Sequence, residues 1–148
     1  MFSVEIISTE QEYLVEKMLR AKRDWDKAVS HLLDYAEIWE RIASKQMEGM
    51  IQFHPSEHPA GPIIGNVLTK NFQIHFSPLQ RENITYALVI VDAHSTRSVD
   101  PVEACRFLVD RNGNICNIKG EIILSDHDDT PQLTLISNIA RTVLSANI

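Results

Sequence analysis

The chain is poor in the residues that staple, loosen or interrupt a fold: two cysteines, five glycines and six prolines in 148 residues. Two cysteines, Cys105 and Cys116, cannot build a disulfide framework, and a chain without one is expected in the reducing cytoplasm. No apolar run reaches the ~18 residues of a membrane span. The opening Met1-Phe2-Ser3-Val4-Glu5-Ile6-Ile7 has neither a basic n-region nor an apolar h-region, so no signal peptide is expected. Basic residues are in deficit: 14 Lys and Arg stand against 20 Asp and Glu, for a net charge of −6. General binding to nucleic-acid phosphates needs a basic footprint and is not expected from that balance; a basic protein partner is left open. Phosphate loops, Rossmann glycines and Cys-x-x-Cys pairs are also missing, so no cofactor is expected.

The most telling absence is local. Between Glu10 and Met47 there is neither glycine nor proline. Leu14, Met18, Ala21, Trp25, Ala28, Leu32, Tyr35, Trp39 and Ile42 step through this stretch by four and three, the spacing of one apolar seam on a long helix. At ~1.5 Å a residue such a helix is about 57 Å long. A compact chain of this size has a diameter of roughly 38 Å, so a straight helix overhangs its domain by about 20 Å. Either it breaks, most readily around Arg20-Ala21-Lys22-Arg23-Asp24, or another chain covers its seam. Ser8 or Thr9 is placed to cap its start, with Glu10 and Glu12 near the positive end of its dipole. Past Lys27 the apolar face widens with Val29, Leu33, Ala36 and Ala43, as a helix lying on its own sheet requires. The narrower first half, around Trp25, is the part expected to project.

Gly49 can end the helix. Three prolines and a glycine in residues 52–62 read as a linker. Strands follow at Ile63–Leu68, at Phe72–Phe76 (ended by Ser77-Pro78) and at Ile84–Ala93. The last is apolar on both faces and so central. Asp100 caps a short turn of helix through Val102-Glu103-Ala104. Cys105–Asp110 and Ile115–Leu124 flank Asn112-Gly113, the signal for a type I′ hairpin, which sets Val109 against Cys116 and Cys105 against Gly120. The two thiols are then roughly 13 Å apart along the ribbon, beyond disulfide reach. Thr130 and Pro131 open a final helix with its stripe at Leu133, Ile136, Ile139 or Ala140, and Val143. The chain thus reads as a single α+β domain over residues 1–148. It has a helical arm (1–50), a Pro-rich linker (51–62), and an antiparallel sheet of about five strands with a C-terminal helix packed on it (63–148).

Constellations that could carry chemistry are thin. His54-Pro-Ser-Glu57-His58 matches His-x-x-Glu-His, but Pro59, Gly61 and Pro62 forbid the helix that a zinc site of this type needs; His54, Glu57 and His58 remain weak metal candidates. Asp92, His94 and Ser95 are triad residue types at a strand end, yet neighbours on an extended chain point in alternating directions. Asp126, Asp128 and Asp129 precede Pro131, where carboxylates complement a helix N-terminus or form an acidic docking patch. Arg106 and Lys119 fall opposite one another in the expected hairpin register.

The leading expectation is a non-enzymatic protein-interaction module of adaptor, inhibitor, immunity-protein or secretion-chaperone type. It acts as a homodimer or bound to a protein partner, with Met18, Trp25, Leu32, Tyr35 and Trp39 as contact residues, because aromatic side chains anchor interfaces. The alternatives are a domain binding a small apolar ligand in a pocket lined by Phe72, Phe76, Tyr86 and Phe107, and a metal-dependent hydrolase built on His54, Glu57 and His58.

Overall fold

A computed structural model describes residues 8–54, 61–94, 100–125 and 129–146. The extended arm expected at Val4–Ile7 lies outside them. Helix α1 spans Ser8–Gln46 without a break: nothing in Arg20–Asp24 interrupts the backbone ladder, and no proline or glycine forces a kink. It ends in a tight reversal. Met50 N donates to Met47 O at 2.9 Å, and both central residues, Glu48 and Gly49, have positive φ (53° and 72°), as a type I′ turn requires.

The reversal leads straight into a strand. β1 is Ile51–His54, with Ile51 and Phe53 buried and Gln52 and His54 exposed. The linker expected from residue 51 onward is corrected here: the four residues before the first proline alternate apolar and polar and pair with β2, Ile63–Val67. β3 (Lys70–Arg81), β4 (Ile84–His94), β5 (Val102–Val109), β6 (Ile115–Cys116) and β7 (Ile122–Leu124) follow. Every strand pairs antiparallel with its sequence neighbour, in the spatial order β1 to β7. Helix α2, Asp129–Ser145, closes the chain on the face that α1 occupies.

The sheet therefore has seven strands rather than about five. Besides β1, the expected run from Ile115 to Leu124 is divided by a turn into β6 and β7. The short helix expected at Val102–Ala104 is the start of β5. Glu103 pairs there with Asp92, and a bulge beside it shifts the register between Val91 and Asp92. β3 runs on through Pro78, which pairs opposite Ala87. β2 pairs with β3 only as far as Ile74, so Pro78 sits where β3 has no second neighbour to receive a hydrogen bond, the position a strand proline tolerates.

The hairpin after β5 is also shifted. Val109 pairs with Ile115 and Leu108 with Cys116, one residue away from the type I′ register. Gly113 N donates to Asp110 O (3.0 Å), and Asp110 N to Asn114 O (3.0 Å). Gly113 alone is left-handed, at φ 84°, giving a three-residue loop of a type I turn followed by a glycine bulge. Asp110 decides it: its carboxylate accepts from the backbone N of Asn112 and Asn114 and from Asn114 Nδ2, each at 2.9 Å. The same device recurs between β6 and β7. Asn117 Oδ1 accepts from Lys119 N and Glu121 N at 3.0 Å, and Gly120 sits at φ 88°. Arg106 and Lys119 do not face each other as a result; Arg106 pairs with Ile90 in register and ion-pairs with Glu103.

The core lies between the helices and one face of the sheet. Ala28, Leu32, Tyr35, Ala36, Trp39, Ile42 and Ala43 from α1 meet Phe53, Phe72, Ile74, Val89, Val91, Phe107 and Val109 from the sheet, and Ile136, Ile139 and Val143 from α2. Aromatic rings run through it from α1 into β1 and β3: Tyr35 to Trp39 at 6.5 Å, Trp39 to Phe53 at 5.6 Å, and Phe53 to Phe72 at 5.6 Å, edge on. A second, smaller cluster of Tyr86, Leu108 and Cys116 covers the other face at the β6 end. Lys70 fastens the end of α2, its Nζ donating to the carbonyls of Leu144 (3.2 Å) and Ala146 (2.6 Å), a common way to satisfy the last carbonyls of a helix.

The β2–β3 turn holds a local conflict. Leu68 lies at φ 54° and is 62% exposed, so a branched side chain occupies left-handed backbone with no core contact to justify it. Leu68→Gly is expected to raise stability by about 0.5–1 kcal/mol, or the melting temperature by about 2–4 °C. A thermal melt of the two proteins checks it, and a lowered midpoint would show that the leucine is held for a reason beyond the turn.

Candidate functional site

The expected contact residues divide along α1. Leu32, Tyr35 and Trp39 are completely buried in their own chain, so none of the three presents surface to a partner. Tyr35 donates its hydroxyl to the carbonyl of Gly113 in the β5–β6 turn, and Trp39 Nε1 donates to Gln132 Oε1 on α2 at 2.7 Å. Apolar periodicity reports that a seam is covered, not which chain covers it, and here the chain's own sheet and α2 do so from Ala28 to Ala43. Trp25 is half-buried, its ring 6.2 Å from that of Phe76 on β3. The residue before it, Asp24, is buried and faces the Arg111 guanidinium at 3.5 Å.

N-terminal to this point the packing stops. Tyr13, Leu14, Val15, Met18 and Leu19 are exposed, Met18 most of all at 67%. The β3–β4 hairpin flanks one side of this segment, with Asn83 of its turn beside Tyr13, Lys17 and Arg20. That ribbon explains how so long a helix stays attached: β3 and β4, at 12 and 11 residues, reach about 40 Å and accompany much of the rod. Among the described residues, nothing covers the opposite side. Leu14, Val15, Met18 and Leu19 are spaced to share one side of a helix. A shallow groove lined by Gln11, Glu12, Val15, Glu16 and Leu19 runs along it. Tyr13, Leu14, Val15 and Leu19 extend the expected site beyond Met18. Only Leu14 lay on the 4-3 seam; the others sit beside it, where the seam alone gives no signal.

The remaining candidates are not brought together. His54 ends β1 with its side chain exposed, while Glu57 and His58 lie outside the described residues. Asp126 and Asp128 lie outside them too, and Asp129 is the first residue of α2. Ser95 is likewise outside; Asp92 approaches His75 across the sheet, Oδ2 to Nε2 3.6 Å. Among the described residues no group of three or more His, Cys, Asp or Glu side chains converges as a metal site, and no helix is long and apolar enough to cross a membrane. The expected aromatic pocket does not form: Phe72 is sealed in the main core and Tyr86 lies in the cluster on the other face. Phe107 instead joins Ile123, Leu124, Leu135 and Ile139 around a cleft of about 350 Å³ between β5, β7 and α2.

Both thiols are free. Burial pushes the Cys105 thiol up, and burial together with the nearby Asp110 carboxylate pushes Cys116 up to about 11. At pH 8 only about a thousandth of Cys116 is thiolate, the reactive form. Iodoacetamide is therefore expected to leave Cys116 unlabelled in the folded protein and to label it promptly in urea. Rapid labelling of the native state, followed by peptide mapping, would contradict the described packing. Compared with known proteins, the chain finds no matching family model, no matching curated protein and no matching solved structure.

Proposed function

We propose that the chain is a non-enzymatic protein-interaction module, of adaptor, inhibitor, immunity-protein or secretion-chaperone type, acting as a homodimer or bound to a protein partner. Its contact surface is the first third of α1. One observation carries this reading: four large apolar side chains on one side of an unbroken helix, Leu14, Val15, Met18 and Leu19, are exposed. Scattered apolar residues on a surface need no explanation, but a contiguous stripe rimmed by charge marks an interaction site. Amphipathic helices of this kind are read by partners through anchors at i, i+3, i+4 and i+7 spacing.

The test compares the wild-type chain with Met18→Lys as bait in native extract. Residue 18 touches no core, so the variant keeps its fold and its melting temperature. A protein held in stoichiometric amount by the wild type and lost by the variant supports the reading. Equal retention by both, or none by either from a chain that is also monomeric, overturns it. A second reading, a small apolar ligand, is favoured by the cleft around Phe107 and Leu135. It predicts a rise in melting temperature with a medium-chain fatty acid, removed by filling the cleft with Thr134→Trp.

A further inference from the structure

We propose that the partner of this surface is a second copy of the chain, docked through its own α1 in antiparallel sense, with the two-fold axis passing between Glu16 and Lys17. This rests on the exposed stripe being a contact surface, and it adds the occupant.

The first argument is charge. Along the exposed segment, three acids (Glu10, Glu12, Glu16) are followed by four bases (Lys17, Arg20, Lys22, Arg23). Lys17 and Arg20 lie on the hairpin side and Lys22 ion-pairs with Asp26 at 2.6 Å, so this asymmetry acts as a field along the segment and not through ion pairs at the seam. An antiparallel pair lays the acidic half of each helix along the basic half of the other. A parallel pair stacks acid on acid and base on base, which is repulsive along its whole length. The helix dipoles add to the same preference.

The second argument is register. Gln11, Val15, Met18 and Lys22 step by four, three and four, the spacing of a coiled-coil seam. Rotation about the proposed axis sets Val15 against the partner's Met18, and Gln11 against the partner's Lys22. Leu14 and Leu19 flank this centre. The apolar residues thus meet apolar residues and the polar ends of the seam meet each other.

The third argument is extent. Under this register Ser8 of one copy comes level with Trp25 of the other, where the sheet begins through Phe76. The overlap is about 27 Å of helix, and the two globular bodies lie at opposite ends of it. The exposed parts of Leu14, Val15, Met18 and Leu19, with the stems of the charged residues beside them, bury about 1,000 Å² in the pair, the lower edge of a specific interface. A weak, reversible dimer is the expected result.

Light scattering after size-exclusion chromatography is the first measurement. The mass should climb from the 16.8 kDa of one chain towards twice that as concentration rises from low micromolar to submillimolar. Met18→Lys should hold it at one chain throughout. Orientation is read by mixing two single variants, Gln11→Cys and Lys22→Cys, under mild oxidation. The antiparallel register gives a disulfide-linked heterodimer, and neither variant alone cross-links to itself. Self-cross-linking of each variant would overturn the orientation. A mass of one chain at every concentration would overturn self-pairing, and the extract experiment with Met18→Lys then decides separately whether the stripe serves another protein.

Discussion

Trp39→Ala is expected to lower the stability of the folded chain by about 3–5 kcal/mol, the largest effect of any single truncation in the molecule. The indole is completely buried, the largest side chain to be so, and it joins α1 to both other layers. Its ring meets Tyr35 and Phe53, and its Nε1 supplies the bond received by Gln132 Oε1. Gln132 is itself fully buried, and its Nε2 finds no partner among the described residues. Removing the indole leaves a cavity and a glutamine unsatisfied at both ends. Domains of this kind have only ~5–15 kcal/mol in hand, so the variant should be marginal or unfolded at physiological temperature. Urea denaturation measures it. Trp39→Phe separates the two contributions, because it keeps most of the apolar contact and loses the bond, at about 1–2 kcal/mol. A loss under 1 kcal/mol for Trp39→Ala would mean that the α1–sheet packing described here is wrong.

Gly65→Ala should be nearly as damaging from a single added methyl. Gly65 lies on β2 with its missing side chain directed into the core, paired with Phe53 on one side and Phe72 on the other. A Cβ there would stand 2.4 Å from the Gln52 carbonyl oxygen and 2.4 Å from the Phe72 ring. The ring can shift; the backbone of β1 cannot without leaving the sheet. The two phenylalanines touch edge to face across this position, which is possible only because nothing rises between them. Overpacking costs roughly 1–3 kcal/mol, and with a backbone obstacle the upper end is expected, about 3 kcal/mol. Hydrogen exchange should show the loss concentrated in the β1–β2 pairing. Adding Phe72→Leu should recover only part of it, since the Gln52 carbonyl remains; full recovery would show that the ring was the whole obstacle.

The long helix was legible because thirty-eight residues without a breaker and with one seam admit no other structure. Ile84–Ala93 was legible because its apolar run is too short for a second core helix. What escaped was decided by contacts distant in sequence or by single polar side chains. β1 has four residues, and only pairing with β2 makes them a strand. Asn112-Gly113 pointed to the commonest two-residue turn, but the Asp110 carboxylate takes the two backbone donors of a longer loop and so moves the register by one. Asn117 with Gly120 repeats that spacing of an Asp or Asn three residues before a glycine, a signal visible in the sequence once its first instance is understood. Pro101 after Asp100 resembles a helix start, yet β4 offers a full set of unpaired backbone groups that Val102–Val109 completes. For the candidate site, the sequence marks an apolar seam from Leu14 to Ile42 without a boundary. The boundary at Trp25 is set by where the core contacts of the sheet end.

The order in which the layers meet has a consequence for synthesis. The sheet is a meander, so each hairpin can form as its residues emerge. Trp39, however, waits for Gln132, 93 residues later. At ~5–20 residues per second, the greasy flank of α1 stays open on the ribosome for roughly 5–19 s before α2 arrives to shut it. Nascent chains in a crowded polysome, each holding out the same unfinished rod, are then at their most vulnerable to one another, and a chaperone that shields α1 during that interval guards the surface that α2 later covers.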